Sequence, residues 1–211
     1  MVSTAVDSEN VIVLYDRTAP DIQLVPFAAK RNDEKLRATY LGWLNDHDVV
    51  GPIASPSLLE PKGQDFVEQS FVRFTRPDSL GFFIYYVPDN VFIGTTKLDS
   101  ISSHCRTAWD GIMIGDRRYQ GRRLAAAIYR VLLAFGFREL DLNRISGGCN
   151  EQNVPMVRTF RRLGYTLEGR LRQADFIEGH FSDHLYFGIL RDEFFAANTV
   201  MLAMRPAKEM M

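Results

Sequence analysis

The stretch that most narrows the folds open to this chain is residues 111–140, GIMIGDRRYQGRRLAAAIYRVLLAFGFREL. A short apolar run (Ile112, Met113, Ile114) stops at Gly115, and a loop then carries Arg117, Arg118, Arg122 and Arg123 around Gln120 and Gly121. Apolar residues at 124, 127, 128, 131, 132 and 135 follow at i, i+3, i+4 spacing, so residues 122–140 read as a helix with one buried face. Strand, basic loop and helix in that order can hold a phosphate. The first N–H groups of a helix lack intrahelical partners, point outward, and sit at the positive end of the helix dipole. An ordinary strand-to-helix connection with a solvated basic rim uses the same residues, and local chemistry alone leaves both readings open.

The surrounding chain makes any anion binding local. Its 211 residues suit one domain with a sizeable core, or one domain plus tails. The net charge of −1 gives no global field to attract nucleic acid or an anionic membrane, so neither is an expected partner. Cys105 and Cys149 are too few for a disulfide framework or a four-thiolate metal site, and the four histidines lack zinc-ligand spacing. No metal is expected. The first ten residues lack a basic region leading into an apolar run, and no stretch approaches the roughly 20 apolar residues of a membrane span. A cytoplasmic protein with free thiols is the expectation.

Taken in order, residues 1–10 read as a flexible lead-in, and 11–14 and 22–27 as short strands. A helix begins near Asn32, capped by Asn32 or Asp33, with Leu36, Tyr40, Trp43 and Leu44 on one face. Residues 51–63 contain Pro52, Pro56 and Pro61 and form a loop. A second helix over 63–74 turns Val67, Phe71 and Phe74 inward. Two helices joined by such a loop can cover a cleft or simply pack. Strands follow at 80–87, 91–100, 108–114 and 145–149. Asn153 caps a third helix that ends at Gly164 and buries Val157, Phe160 and Leu163. Residues 171–177 and 180–190 form a hairpin around 178–179. The fold class is α+β, a mixed and mostly antiparallel sheet of about seven strands with helices on both faces. Residues 11–195 form the domain and 196–211 a tail.

The segment 120–125, QGRRLA, resembles the acetyl-CoA pyrophosphate loop of the GNAT superfamily of N-acetyltransferases. Gln120 fills the first place of that pattern and Ala125 the last, while Arg123 stands at the inner glycine. Downstream, the chain looks like the ribosomal-protein-type branch. Asn153 opens a helix that ends Leu163-Gly164-Tyr165. Then come Glu168 to Arg172, a turn with Gly179, Asp183, and a closing Gly188 to Arg191. The resemblance covers residues 22–195 and is clearest from 111 onward. Residues 39–49 and 111–116 are also similar to branch members acting on amino sugars in polysaccharide gene sets. Kinship at the level of fold does not choose among these acceptors.

The resemblance implies a sheet splayed between its fourth and fifth strands in the family's count, the fourth ending at Met113, Ile114 and Gly115. These three residues would pair with the pantetheine arm of acetyl-CoA. Gln120, Gly121, Arg122, Arg123, Leu124, Ala125 and Ala126 form the loop, with the pyrophosphate on amides from Gly121 to Ala126. Asn153 matches an asparagine that contacts the cofactor, and capping the helix is compatible with that role. Arg123 is harmless if its φ is helical, as a helix N-terminus leads one to expect. With positive φ it loses glycine's freedom but still offers a charged fork to phosphate.

Acetyl transfer needs a base for the amine proton, N–H donors for the developing oxyanion, and a donor for the leaving thiolate. Met156 lies where the branch carries a small residue, often Ser, and a thioether cannot donate a hydrogen bond. Phe160 lies where other branches carry an acidic Tyr. Asp110 and His104 are candidate bases, each also readable as structural. His180 and His184 share one face of the hairpin, and Tyr85 and Tyr86 point to opposite faces. The expected function is acetyl-CoA-dependent N-acetylation of a primary amine, on a nucleotide-linked amino sugar or a protein N-terminus. The competing expectation is a catalytically silent module that binds CoA or a protein partner. A homodimer is left open.

Overall fold

Ten strands share one sheet in a computed structural model that describes residues 12–53, 60–177 and 179–207. The strands are β1 (Ile12–Asp16), β2 (Ala19–Pro26), β3 (Thr75–Arg76), β4 (Ser79–Tyr86), β5 (Val91–Ser102), β6 (Thr107–Ile114), β7 (Arg144–Asn150), β8 (Thr166–Ile177), β9 (His180–Leu190) and β10 (Leu202–Pro206). Their order is β10-β1-β2-β4-β5-β6-β7-β9-β8, with β3 beside β4. The helices are α1 (Glu34–Leu44), α2 (His47–Val50), α3 (Gln64–Arg73), α4 (Leu124–Arg138), α5 (Val154–Leu163) and α6 (Arg191–Ala197). The α+β class and the mostly antiparallel sheet match the sequence-based expectation, but about seven strands become ten. The two without a sequence signal are β3, only two residues long, and β10, which lies within the expected tail and pairs with β1. Pairing rather than propensity makes both of them strands. The lead-in, residues 1–10, lies outside the described residues.

Strand alternation sends side chains to two cores. Val25, Phe83 and Met113 go to the face covered by α1 and α3, where Phe27 stacks on Phe83 at 4.2 Å and meets Tyr40 edge-on at 5.7 Å. Leu24, Phe82, Ile84 and Ile145 go to the opposite face, against Ile128, Leu132 and Phe135 of α4 and Phe160 of α5. The caps behave as their residue types predict. Asp33 accepts from Leu36 N at 3.0 Å to start α1, and Asn153 accepts from Met156 N at 3.2 Å to start α5.

All pairings are antiparallel except β6 with β7, which α4 joins as the crossover. That parallel pairing covers only Thr107–Trp109 against Arg144–Ser146. Beyond it β6 continues to Ile114 and β7 to Asn150, each held on its far side by β5 and β9, so the strands part into a wedge. Gly115, just past the end of β6, does not line the wedge: its amide donates to the Ile93 carbonyl at 2.9 Å, and α1 packs on it. A Cβ there would lie 2.1 Å from the Trp43 ring, so only a hydrogen lets α1 close on the end of β6. Gly115→Ala is expected to cost about 1–3 kcal/mol by overpacking. The check is urea unfolding, which should show a lower midpoint; an unchanged midpoint would show that Trp43 shifts freely.

Candidate active site

The wedge opens into a cavity of about 1120 Å³ lined from both faces of the sheet. From the α1 and α3 side come Tyr40, Ser70, Arg73, Phe74 and Lys97, and from the α4 and α5 side Asp110, Tyr129, Pro155 and Met156. Between them run the edge of β6 from Gly111 to Ile114 and, on β7, Gly148 and Cys149. Parallel pairing has stopped before these residues, so their facing backbone edges are not bonded to one another. Such an edge can pair with an extended ligand carrying amides of its own.

At the wide end the loop meets α4. Gln120, Gly121, Arg123, Leu124, Ala125 and Ala126 line the cavity. Arg122 does not, and its guanidinium lies 4.7 Å over the Tyr119 ring. The helix starts at Leu124 rather than 122, because Arg123 takes the left-handed conformation (φ 61, ψ 21) as its N-cap. The expected helical φ is therefore wrong. The chain turns through two positive-φ residues, Gly121 at 72 and Arg123, before the helix can begin. For a non-glycine residue that conformation costs about 1–2 kcal/mol.

Charge in the loop is less concentrated than four arginines suggest. Arg117 pairs with Asp48 at 2.6 Å and Arg118 with Asp116 at 2.6 Å. Arg123 is exposed and enters no ion pair among the described residues, so its fork is available to an anion at the helix end. The Gln120 side chain donates to the Ile114 carbonyl at 2.9 Å, tying the loop to the end of β6.

Asn153 does more than cap. Its Nδ2 donates to the Pro52 carbonyl at 3.1 Å, joining the start of α5 to the segment after α2 across the cavity. The described part of the Pro-rich loop thus closes over the cleft, with Pro52 and Ile53 in the wall. The rest of that loop, residues 54–59 with Pro56, lies outside the described residues.

Asp110 sits where β6 and β7 part. Its carboxyl accepts from the Tyr129 hydroxyl at 3.0 Å and from the Tyr165 hydroxyl. Burial pushes this carboxyl up to about 7, against the opposing hydrogen bonds from Tyr165 and Tyr129 and the charge of Lys97. Gly147 makes the room, since a Cβ there would lie 2.5 Å from Asp110 Oδ1. A carboxyl that titrates near neutrality in a cavity wall can take or give a proton under ordinary conditions.

The remaining candidates separate. His104 is exposed in the β5–β6 turn, at the closed end of the wedge. Tyr85 packs on Phe92 at 5.1 Å and Tyr86 on Tyr119 at 5.3 Å, on opposite faces as alternation requires, and neither lines the cavity. Phe160 is fully buried, stacked on Phe187 at 4.7 Å, while Met156 lines the cavity. His184 holds Asp175 at 2.9 Å through Nδ1, and Asp175 also accepts from Asn150 at 3.0 Å. Lys97, Arg73 and Tyr129 had no sequence signal. The first two look like solvated charges at the edges of their elements, and Tyr129 falls beside the apolar stripe of its helix. Among the described residues no group of His, Cys, Asp and Glu is placed to hold a metal, and no helix is long and apolar enough to cross a membrane.

Comparison with known proteins agrees with this geometry. The family described as Acetyltransferase (GNAT) domain matches residues 22–166. The Probable N-acetyltransferase YjcK of Bacillus subtilis is 28% identical over 122 residues, covering 57% of this chain and 67% of that protein. The spermidine N(1)-acetyltransferase of Escherichia coli is 27% identical over 103 residues, 49% of this chain and 55% of that one, so the matched segment spans little more than half of that relative's length. In fold, the chain is similar to the spermidine N-acetyltransferase of Vibrio cholerae solved with CoA and spermine, with a TM-score of 0.68 at 19% identity over 90% of this chain and 99% of that one. A family match across most of the chain, on a sheet that parts beside the N-terminus of its crossover helix, makes this protein a member of the GNAT acetyltransferase family.

Proposed function

We propose that the chain transfers an acetyl group from acetyl-CoA directly to a primary amine of a small molecule. The observation that carries this reading is the wedge, whose unpaired strand edges run from a free guanidinium at a helix N-terminus to a carboxyl with its pKa near 7. Acetyl-CoA supplies the thioester. Amides from Gly121 to Ala126 and the Arg123 fork hold its pyrophosphate, and the edge at Met113 and Ile114 holds the pantetheine arm. Asn153 assists by keeping the Pro52 segment closed over the cleft. As the amine nitrogen bonds to the acetyl carbon, the C–S bond breaks and CoA leaves as a thiolate that solvent protonates; Asp110 accepts the amine proton, directly or through water, and Tyr129 and Tyr165 keep it in place. The cleft walls exclude water and align the amine with the carbonyl carbon. Kinship with the ribosomal-protein-type branch rests on Asn153, the Leu163-Gly164-Tyr165 helix end and the residues up to Arg191.

The first test is thiol release from acetyl-CoA across an amine panel. Turnover with any acceptor removes the catalytically silent alternative, and calorimetry showing no acetyl-CoA binding would sink the acetyl-transfer reading and leave only a module that binds a protein partner.

Two variants probe the machinery. Arg123→Gly relieves the left-handed strain and removes the phosphate contact together. Its thermal midpoint should rise by the equivalent of about 1 kcal/mol, while acetyl-CoA binds about tenfold more weakly, the scale of one charge-assisted contact. Unchanged affinity would place the guanidinium off the phosphate.

Asp110 makes kcat/KM depend on pH. As the base it works ionised, so activity should climb as pH rises through about 7 and level off above it. Asp110→Asn should remove that inflection and lower the plateau by about a hundredfold, within the usual contribution of a positioned base. An inflection that survives the substitution would belong to another group.

A further inference from the structure

The half of the cavity facing α1 and α3 carries an imbalance of charge. Asp99 on β5 is only 7% exposed and does not line the cavity, whereas Lys97, two residues earlier on the same face, and Arg73, at the end of α3, both do. A single oxygen, Asp99 Oδ2, accepts from Lys97 Nζ at 2.9 Å and from Arg73 Nη2, while Oδ1 accepts from the Ser100 amide. Burial pushes the Asp99 carboxyl up, but hydrogen bonds and charge from Lys97, with Ser79 and Arg73, hold it below its usual range, so it is ionised. Two cations therefore share one anion. Among the described residues neither pairs with another carboxylate. Asp110 is the next acid to feel the Lys97 charge, and with its pKa near 7 it offsets that charge only in part.

Both cations keep donors to spare. Lys97 Nζ uses one of three N–H groups on Asp99, and Arg73 uses one of five. Their side chains are 35% and 58% exposed, and they flank the Phe74 ring at 5.5 and 5.8 Å. Gln69 and Ser70 continue the wall with neutral polar groups. The loop and Arg123 lie at the other end of the cavity, so this half is left for the acceptor.

We propose that Lys97 and Arg73 form a subsite for an anionic group, phosphate or carboxylate, on the acceptor amine. This rests on the acetyl-transfer reading above and narrows its substrate class. Amines that carry such a group are the substrates, and polyamines, which relatives of this chain acetylate by name, are discriminated against. The Lys97 and Arg73 charges bind the anion, with their donors left over from Asp99 as the contacts. A polyamine brings further ammonium groups that meet the same cations and are repelled.

The experiment measures thiol release with ethanolamine, O-phosphoethanolamine, β-alanine and spermidine, for the wild type and for Lys97→Gln and Arg73→Gln. Calorimetry of O-phosphoethanolamine and of acetyl-CoA accompanies it. One anionic amine should exceed both ethanolamine and spermidine by about tenfold or more in kcat/KM, the size of one charge-assisted contact. Each variant should cut the anionic-to-neutral ratio by a similar factor while acetyl-CoA affinity stays within about twofold of wild type. The arm with O-phosphoethanolamine against β-alanine tells phosphate from carboxylate. Spermidine matching or exceeding the anionic amines overturns the subsite, as does a ratio that neither variant changes. If no amine releases thiol, the acetyl-transfer reading fails. The subsite is then read from calorimetry alone: O-phosphoethanolamine binding that both variants weaken supports it, and binding that is absent or undisturbed overturns it.

Discussion

Everything that matters in this molecule depends on one parallel strand pairing that stops early. Three residue pairs join β6 to β7, at Thr107–Trp109 and Arg144–Ser146, and then the strands part. An unmet strand edge inside a protein normally costs the desolvation of its N–H and C=O groups. Here the edges face a cavity, where water or a ligand with amides of its own can satisfy them. The parting is enforced from outside the wedge. β6 is held by seven residue pairs to β5, with Trp43 packed on the glycine that follows it, and β7 is held by β9 along its whole length.

Charge is arranged around that opening so that each end has a different character. At the helix end Arg117 and Arg118 are neutralised by Asp48 and Asp116, which leaves Arg123 and the amides of α4 as the positive elements that face the cavity. Where the strands part, burial keeps the Asp110 carboxyl near neutrality while two tyrosine hydroxyls hold it still. On the opposite face one carboxylate serves two cations. The Asp110 carboxyl therefore shares one cavity wall with two positively charged regions, Arg123 at the helix end and Lys97 with Arg73 on the other face.

Much of this was legible in the residues. Apolar spacing over 124–135 marked the crossover helix, Asp33 and Asn153 marked two helix starts, and the order of strands and helices marked the class. Asp110 could be named but not ranked, because its environment comes from Tyr129 and Tyr165, which lie 19 and 55 residues along the chain. Arg123 was the opposite case. Its position was clear and its conformation was not, since a left-handed arginine is disfavoured locally and persists only where the strand before it and the helix after it dictate the path. β10 was missed because five residues of weak alternation become a strand only when β1 offers them a partner.

What the sequence by itself determined is therefore the set of local preferences, namely the periodicities, the caps and the basic loop, and, by resemblance of residues 120–125 and 153–191, the family. What only the tertiary structure decided is which side chains meet. Lys97, Asp99 and Arg73 lie on two elements that are ordinary when read alone, and they become a charged cluster because the last residue of α3 reaches β5. Side-chain meetings of that kind depend on non-local packing, which no spacing along one segment encodes, and the chemistry of the site is made of them.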